Sequence, residues 1–315
     1  MKVKALLGAT LAIALSAPAG FAALTPAPPK LAGTLFFHRY SQYSAWDASL
    51  WSLDLATKEL RRIDQGWVGA YSPINAHPSP DGKVITFMGS ATGLAAPDWD
   101  VFTSTWLDGR WSEPTNLTGP NGKRDEDPKF SPDGKTIIYK EDGVLATTPA
   151  AGGAKSYLTV GQPQSSMPYY TVDGKGILFE RSGAIYLLRG GVTTKMKAPA
   201  GISSYYPIAV DSKRFLFTRV QSSRHDGIYW GYYDGSKPTP LFFNSQKFDS
   251  SDSYPYKDGK RFIFLVSGDF SIIKGGYNLM VADLTTKKNW DIDRLYGSIN
   301  TDQEELGPSW TAVRY

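Results

Sequence analysis

HPSPDGKVITFMG, residues 77–89, joins a proline-flanked tight turn to an apolar run. Proline fixes φ, and the Asp-Gly pair that follows tolerates φ > 0, which is hairpin chemistry. The next residues, rich in Ile, Phe and Val with partial alternation, are those of a half-buried strand. The phrase then returns along the chain as PKFSPDGKTIIYKED (128–142), PYYTVDGKGILFERSG (168–183), PIAVDSKRFLFTR (207–219) and PYKDGKRFIFLVSG (255–268). The turn aspartates Asp81, Asp133, Asp173, Asp211 and Asp258 are spaced 52, 40, 38 and 47 residues apart.

Each repeat continues in the same order. A second apolar run follows (VFTSTWL, GVLATTP, AIYLLR, GIYWGYY, NLMVADL), then a short turn and a weak fourth strand. Four short strands in each unit of about 40–50 residues is the signature of a β-propeller blade. The ends supply one more unit. GTLFFHRY (33–40) and ASLWSLDL (48–55) read as second and third strands lacking a first, and GPSWTAVRY (307–315) reads as a first strand lacking the rest. Joined, they give an all-β, six-bladed β-propeller closed by pairing N- and C-terminal strands in one blade, which removes exposed sheet edges.

Bulk properties narrow the function. Lys2 and Lys4, an apolar run from Ala5 to Leu15, and small residues through Ala22 read as a secretory signal peptide cleaved after Ala19 or Ala22. The expected division is a signal peptide over 1–22, a linker over 23–32 and one propeller over 33–315, with no separate domain before it. The product is expected to be secreted or periplasmic, monomeric and without a membrane span. A net charge of +4, or +2 without the leader lysines, is too small to imply nucleic acid. Cysteine is absent, so no disulfide supports the fold.

The units with Ser-Pro-Asp-Gly-Lys before an apolar strand resemble the repeats of TolB-like six-bladed propellers, over nearly the whole mature chain. In such folds the Asp-Gly turns lie on one face, while blade connections and second-to-third-strand loops lie on the other. That second face receives His38, His77 and His225, together with Arg39, Arg124, Arg181, Arg219, Arg224 and Lys140. Counted back from the turn aspartates, six places before stand Asn75, Asp127, Met167, Tyr205 and Asp252, and four before stand His77, Lys129, Tyr169, Pro207 and Tyr254. Both sets fall where innermost strands begin, at the mouth of the central channel. Arg39, Lys140, Arg181 and Arg219, at second-strand ends, are expected to form a partial ring of positive charge. Such a mouth, with Trp99, Tyr169, His38 and His225 as further contacts, suits a glycan or other small anionic ligand.

No Ser-His-Asp order, Gly-x-Ser-x-Gly elbow, HExxH or phosphate loop is present. Elimination from a uronate would instead need a cation on the carboxylate, a base and an acid. Arg124 or Arg219, His77, and Tyr206 or Tyr254 are the candidates. INAHPSPDGKVITFMG, KRDEDPKFSPDG and SMPYY are similar to secreted propeller lyases that cleave rhamnose–glucuronate linkages, and more distantly to oligogalacturonate lyases. That resemblance implies a channel histidine acting with arginines, and a calcium ion for which Asp125, Asp127, Asp252 and Glu304 are the oxygen donors here. Two further readings stand beside the lyase. One is a glycoside hydrolase using two mouth carboxylates, and the other is a non-catalytic propeller binding a protein partner or glycan.

Overall fold

The structure, a computed structural model, describes residues 29–93, 98–222, 225–244, 248–268 and 276–315. The expected signal peptide, most of the linker and Arg224 lie outside the described residues. No described helix is long and apolar enough to cross a membrane.

Six antiparallel sheets of at least four strands form six blades. Blade 1 runs from its innermost strand outward as Glu304–Thr311, Thr34–Tyr40, Ser49–Asp54 and Leu60–Arg62, so both ends of the chain close the ring as expected. The innermost strands of blades 2 to 6 are Tyr71–Pro78, Asp125–Phe130, Ser165–Tyr170, Ser203–Ala209 and Asp249–Pro255. The C-terminal strand differs from its expected span. It begins at Glu304, before GPSWTAVRY, and the last four residues run past its end.

The turns behave as their chemistry dictates. Asp81, Asp133 and Asp173 each accept a hydroxyl hydrogen bond from the residue two before, at 2.6–2.7 Å. Each also accepts the N–H of the lysine two after, at 3.1 Å. Gly82, Gly134 and Gly174 take φ near +70°, the left-handed conformation the turn requires.

The strands alternate less cleanly than one-faced strands because blades bury both faces. Phe37 packs toward blade 6, with Phe264, Val266 and Val281, while its neighbour Phe36 packs toward blade 2, with Ile85, Phe87 and Phe102. Both phenylalanines are fully buried. Truncating either to alanine removes a side chain whose loss typically costs about 3–5 kcal/mol.

Candidate functional site

Every innermost strand is interrupted by a register shift against its second strand. Blade 2 has a second shift, at Ser72 (φ 50°); at the shift shared by all six blades one residue turns left-handed: Asn75 (φ 57°), Asp127 (56°), Met167 (51°), Tyr206 (48°), Asp252 (41°) and Gly307 (60°). These are β-bulges, which re-aim side chains at the rims of closed sheets. Four of the six sit at the register counted back from the turn aspartates. In blade 5 the bulge is Tyr206 in place of Tyr205, because the Asp211 turn lacks a glycine and is one residue tighter. Gly307 comes from the closing strand, which has no turn aspartate to count from.

The bulge residues surround the channel. A vestibule of about 300 Å³ is lined by five of them with His38, Tyr40, Glu126 and Lys140. Below it a constriction of about 40 Å³ is lined by Asn75, His77, Lys129, Tyr206, Asp252 and Tyr254. That space holds a water or two, far less than a sugar ring. Beyond it a 360 Å³ cavity opens toward the turn face, between His77, Tyr169, Tyr254 and the turn prolines.

Two carboxylates dominate the vestibule floor. Asp127 accepts from the Asn75 amide at 3.1 Å, and Asp252 accepts from Ser251 Oγ at 3.0 Å and from the Gly307 N–H at 3.3 Å. Burial raises both above the usual carboxylate range, Asp252 to about 6, and the charge of Asp127 adds to the rise at Asp252. Lys129 lies behind them, lowered by burial against the attraction of both carboxylates. Tyr206 faces the same pair and is held neutral by burial and by their negative charge. At the rim Glu126 is gripped by Arg124, at 2.5 Å, and by Lys140.

The histidines are engaged. His38 Nδ1 accepts the Asn75 N–H at 3.3 Å, and burial lowers its pKa to about 3. His77 Nδ1 accepts the Phe130 N–H at 3.3 Å, so the neutral ring carries its proton on Nε2. That Nε2 lies 3.5 Å from the hydroxyls of both Tyr169 and Tyr254. Burial, and secondarily Lys129, hold His77 well below its usual value.

The expected ring of positive charge is not assembled. Lys140 pairs across the blade with Glu126, whereas Arg181 pairs with Ser165, Arg219 with Ser204 and Arg39 with Glu305. Lys140 stands seven residues after its turn aspartate, Arg181 and Arg219 eight after theirs, and one residue along a strand reverses the face. The three arginines are buried away from the vestibule. Arg39 is bound to Glu305 at 3.0 Å, Arg181 to Ser165 at 3.1 Å and Arg219 to Ser204 at 3.0 Å. His225 bonds Ser222 and lines none of the three channel spaces. Trp99 is buried, stacked on Trp46 at 4.2 Å with its Nε1–H donated to Tyr43.

The four expected calcium ligands divide in the same way. Asp127 and Asp252 share the vestibule, but Asp125 is turned to the other face of its strand, toward Asn121, and Glu304 accepts the Tyr277 N–H at 2.9 Å. Among the described residues no three His, Asp or Glu side chains converge as a cation site. Lys129 and Asn75 stood in the counted registers without a role, and Tyr40, which stood in neither, also belongs to the site.

No protein-family description and no curated protein matches this sequence. Solved structures do. TolB from Acinetobacter baumannii superposes with a TM-score of 0.68 at 15% identity, over 90% of this chain and 67% of that one. A putative TolB from Agrobacterium tumefaciens gives 0.60 at 15%, over 82% and 88%. Hydrazine synthase from Kuenenia stuttgartiensis gives 0.68 at 12%, over 88% and 46%. The resemblance to TolB-like propellers holds at the level of the fold.

Proposed function

We propose that this chain is an exported, non-catalytic binding propeller whose vestibule receives a basic group from a partner protein. The observation that carries this reading is the presence of Asp127 and Asp252, from blades 3 and 6 on opposite sides of the channel, in the lining of one 300 Å³ space. Their few hydrogen bonds leave acceptor capacity toward the cavity, and their charges are only partly offset by Lys129. A protonated amine or guanidinium entering from the rim would meet both carboxylates and the Tyr206 hydroxyl. An acidic sugar would meet the same carboxylates with the wrong sign.

Calorimetric titration with short lysine- and arginine-containing peptides tests this reading. Binding should weaken at least about tenfold on Asp127→Asn or Asp252→Asn, and on acetylation of the lysines. Equal binding of acetylated peptides, or preference for uronate oligosaccharides, would sink it.

Uronate elimination is the second reading, favoured by His77, Tyr254 and Lys129 meeting in the channel. Against it stand the occupied Nδ1 of His77, the narrow constriction and the arginines held elsewhere. Unsaturated-uronate absorbance on a panel of glucuronate and galacturonate glycans decides this, and no signal would remove the lyase.

A further inference from the structure

On the outer side of blades 1 and 2, away from the channel, lies a cavity of about 600 Å³. Four aromatic rings build one part of it. Trp67 lies flat on Phe87, with centroids 5.0 Å apart and planes 14° from parallel, and is only partly buried. Trp106, Trp111 and Tyr315 pack together at 4.9–5.4 Å between centroids, with Phe36 behind them. Indoles braced from behind in this way hold a rigid surface toward the cavity without further ordering cost.

The remainder of the lining is charged but internally balanced. Arg61 gives both arms of its fork to Glu59 at 2.6 and 2.8 Å. Arg62 does the same to Asp64 at 3.1 and 2.9 Å. Arg110, Asp108 and Glu113 complete the charged lining, so three guanidinium groups are set against two lining carboxylates and, outside the lining, the paired Glu59 and Asp64. Such a lining offers little net attraction to an ion of either sign. It offers many hydrogen-bond donors and acceptors beside flat apolar faces.

A pyranose ring has the matching chemistry, with an apolar C–H face and hydroxyls around its edge. We infer that this cavity binds a neutral oligosaccharide, with Trp67 as the stacking surface and Arg110 as a hydroxyl partner at the rim. It is separate from the vestibule and shares no lining residue with it.

The test titrates the full mature chain with cellohexaose, maltohexaose, mannohexaose and chitohexaose, with oligogalacturonate and a Glu-rich peptide as charged comparators. Tryptophan fluorescence and calorimetry provide the readouts. At least one neutral oligosaccharide should bind in preference to both comparators. Trp67→Ala should weaken that binding about tenfold or more, and Trp67→Phe should largely preserve it. If Trp67→Ala does not fold, Arg110→Ala decides. Arg110 is exposed and has no ion pair among the described residues, so its truncation should weaken binding several-fold without shifting Tm. Asp252→Asn should leave sugar binding intact, which separates this site from the vestibule. Failure of every neutral sugar, preference for a charged comparator, or wild-type affinity in Trp67→Ala or Arg110→Ala would overturn the inference.

Discussion

Replacing Arg39 by methionine probes the blade that closes the ring. Arg39 Nε donates to Glu305 Oε1 at 3.0 Å, and its guanidinium reaches the Ile299 carbonyl and lies 4.3 Å from the Trp51 ring centre. The two side chains are 6% and 0% exposed. Burial lowers Arg39 and raises Glu305, each against the attraction of its partner. Desolvation therefore outweighs pairing on both sides, and the intact pair adds little net stability. Removing one partner is another matter. Glu305 would remain buried with only the Thr301 N–H and hydroxyl, at 3.1 and 2.6 Å. Such one-sided removal costs about 3–5 kcal/mol, and at roughly 2–4 °C per kcal/mol the Tm should fall by roughly 6–20 °C at pH 7.

Glu305 can relieve the penalty by taking up a proton. In the variant its folded pKa rises further above the ordinary 4.5. A raised folded pKa gives stability that is fully present below the unfolded value and is lost as pH climbs through the folded one. The deficit of Arg39→Met should therefore be smaller at pH 5 than at pH 8. Adding Glu305→Leu should recover most of it, because no buried charge is then left alone. Thermal and urea melts at pH 5, 7 and 8 measure this. A deficit below about 1 kcal/mol at pH 7, or one insensitive to pH, would refute the account.

Three other outcomes follow from the site and the ends of the chain. Asp252 is raised to about 6, so its contribution to stability is complete below 3.8 and lost as pH rises through about 6. Asp252→Asn should accordingly raise the Tm at pH 8 and leave it nearly unchanged at pH 3, while reducing the fall in basic-peptide affinity of the parent below pH 6, the remainder coming from Asp127. Gly307→Ala would place a Cβ 2.8 Å from the His38 ring and from Asn75 Oδ1 at φ +60°, and should cost about 1–3 kcal/mol in urea denaturation. Intact mass and N-terminal sequencing of the exported protein from a bacterial host should find a mature chain beginning at Gly20 or Ala23.

The fold was legible because turn chemistry and apolar runs recur in one register. Asp81, Asp133 and Asp173 mark the same corner of three blades, and the third strands fall where the second apolar runs stand. The innermost strands were harder to read. GPNGKRDED, GISSYY and SQKFDSSDSY pass for loops, yet strands begin within them at Asp125, Ser203 and Asp249. Their residues face a polar channel in place of a core, so the usual apolar signal of a strand is missing. The site was partly legible for the same reason. Counting back from the turns found Asp127, Asp252, His77 and Tyr254, but the arginines, taken from strand ends without regard to alternation, fell on the other face.

The bulges explain why that register carries chemistry. A left-handed residue other than glycine costs about 1–2 kcal/mol, and five of the six bulge positions bear that cost. Asn75, Asp127 and Asp252 are of the types that tolerate this conformation best. Met167 and Tyr206 are not, and a glycine would relieve the strain at either position. Both line the vestibule. Strain kept at a cavity wall is a mark of a side chain held for what it faces. Only the closing strand, whose Gly307 backbone serves Asp252 through its N–H, takes the unstrained residue.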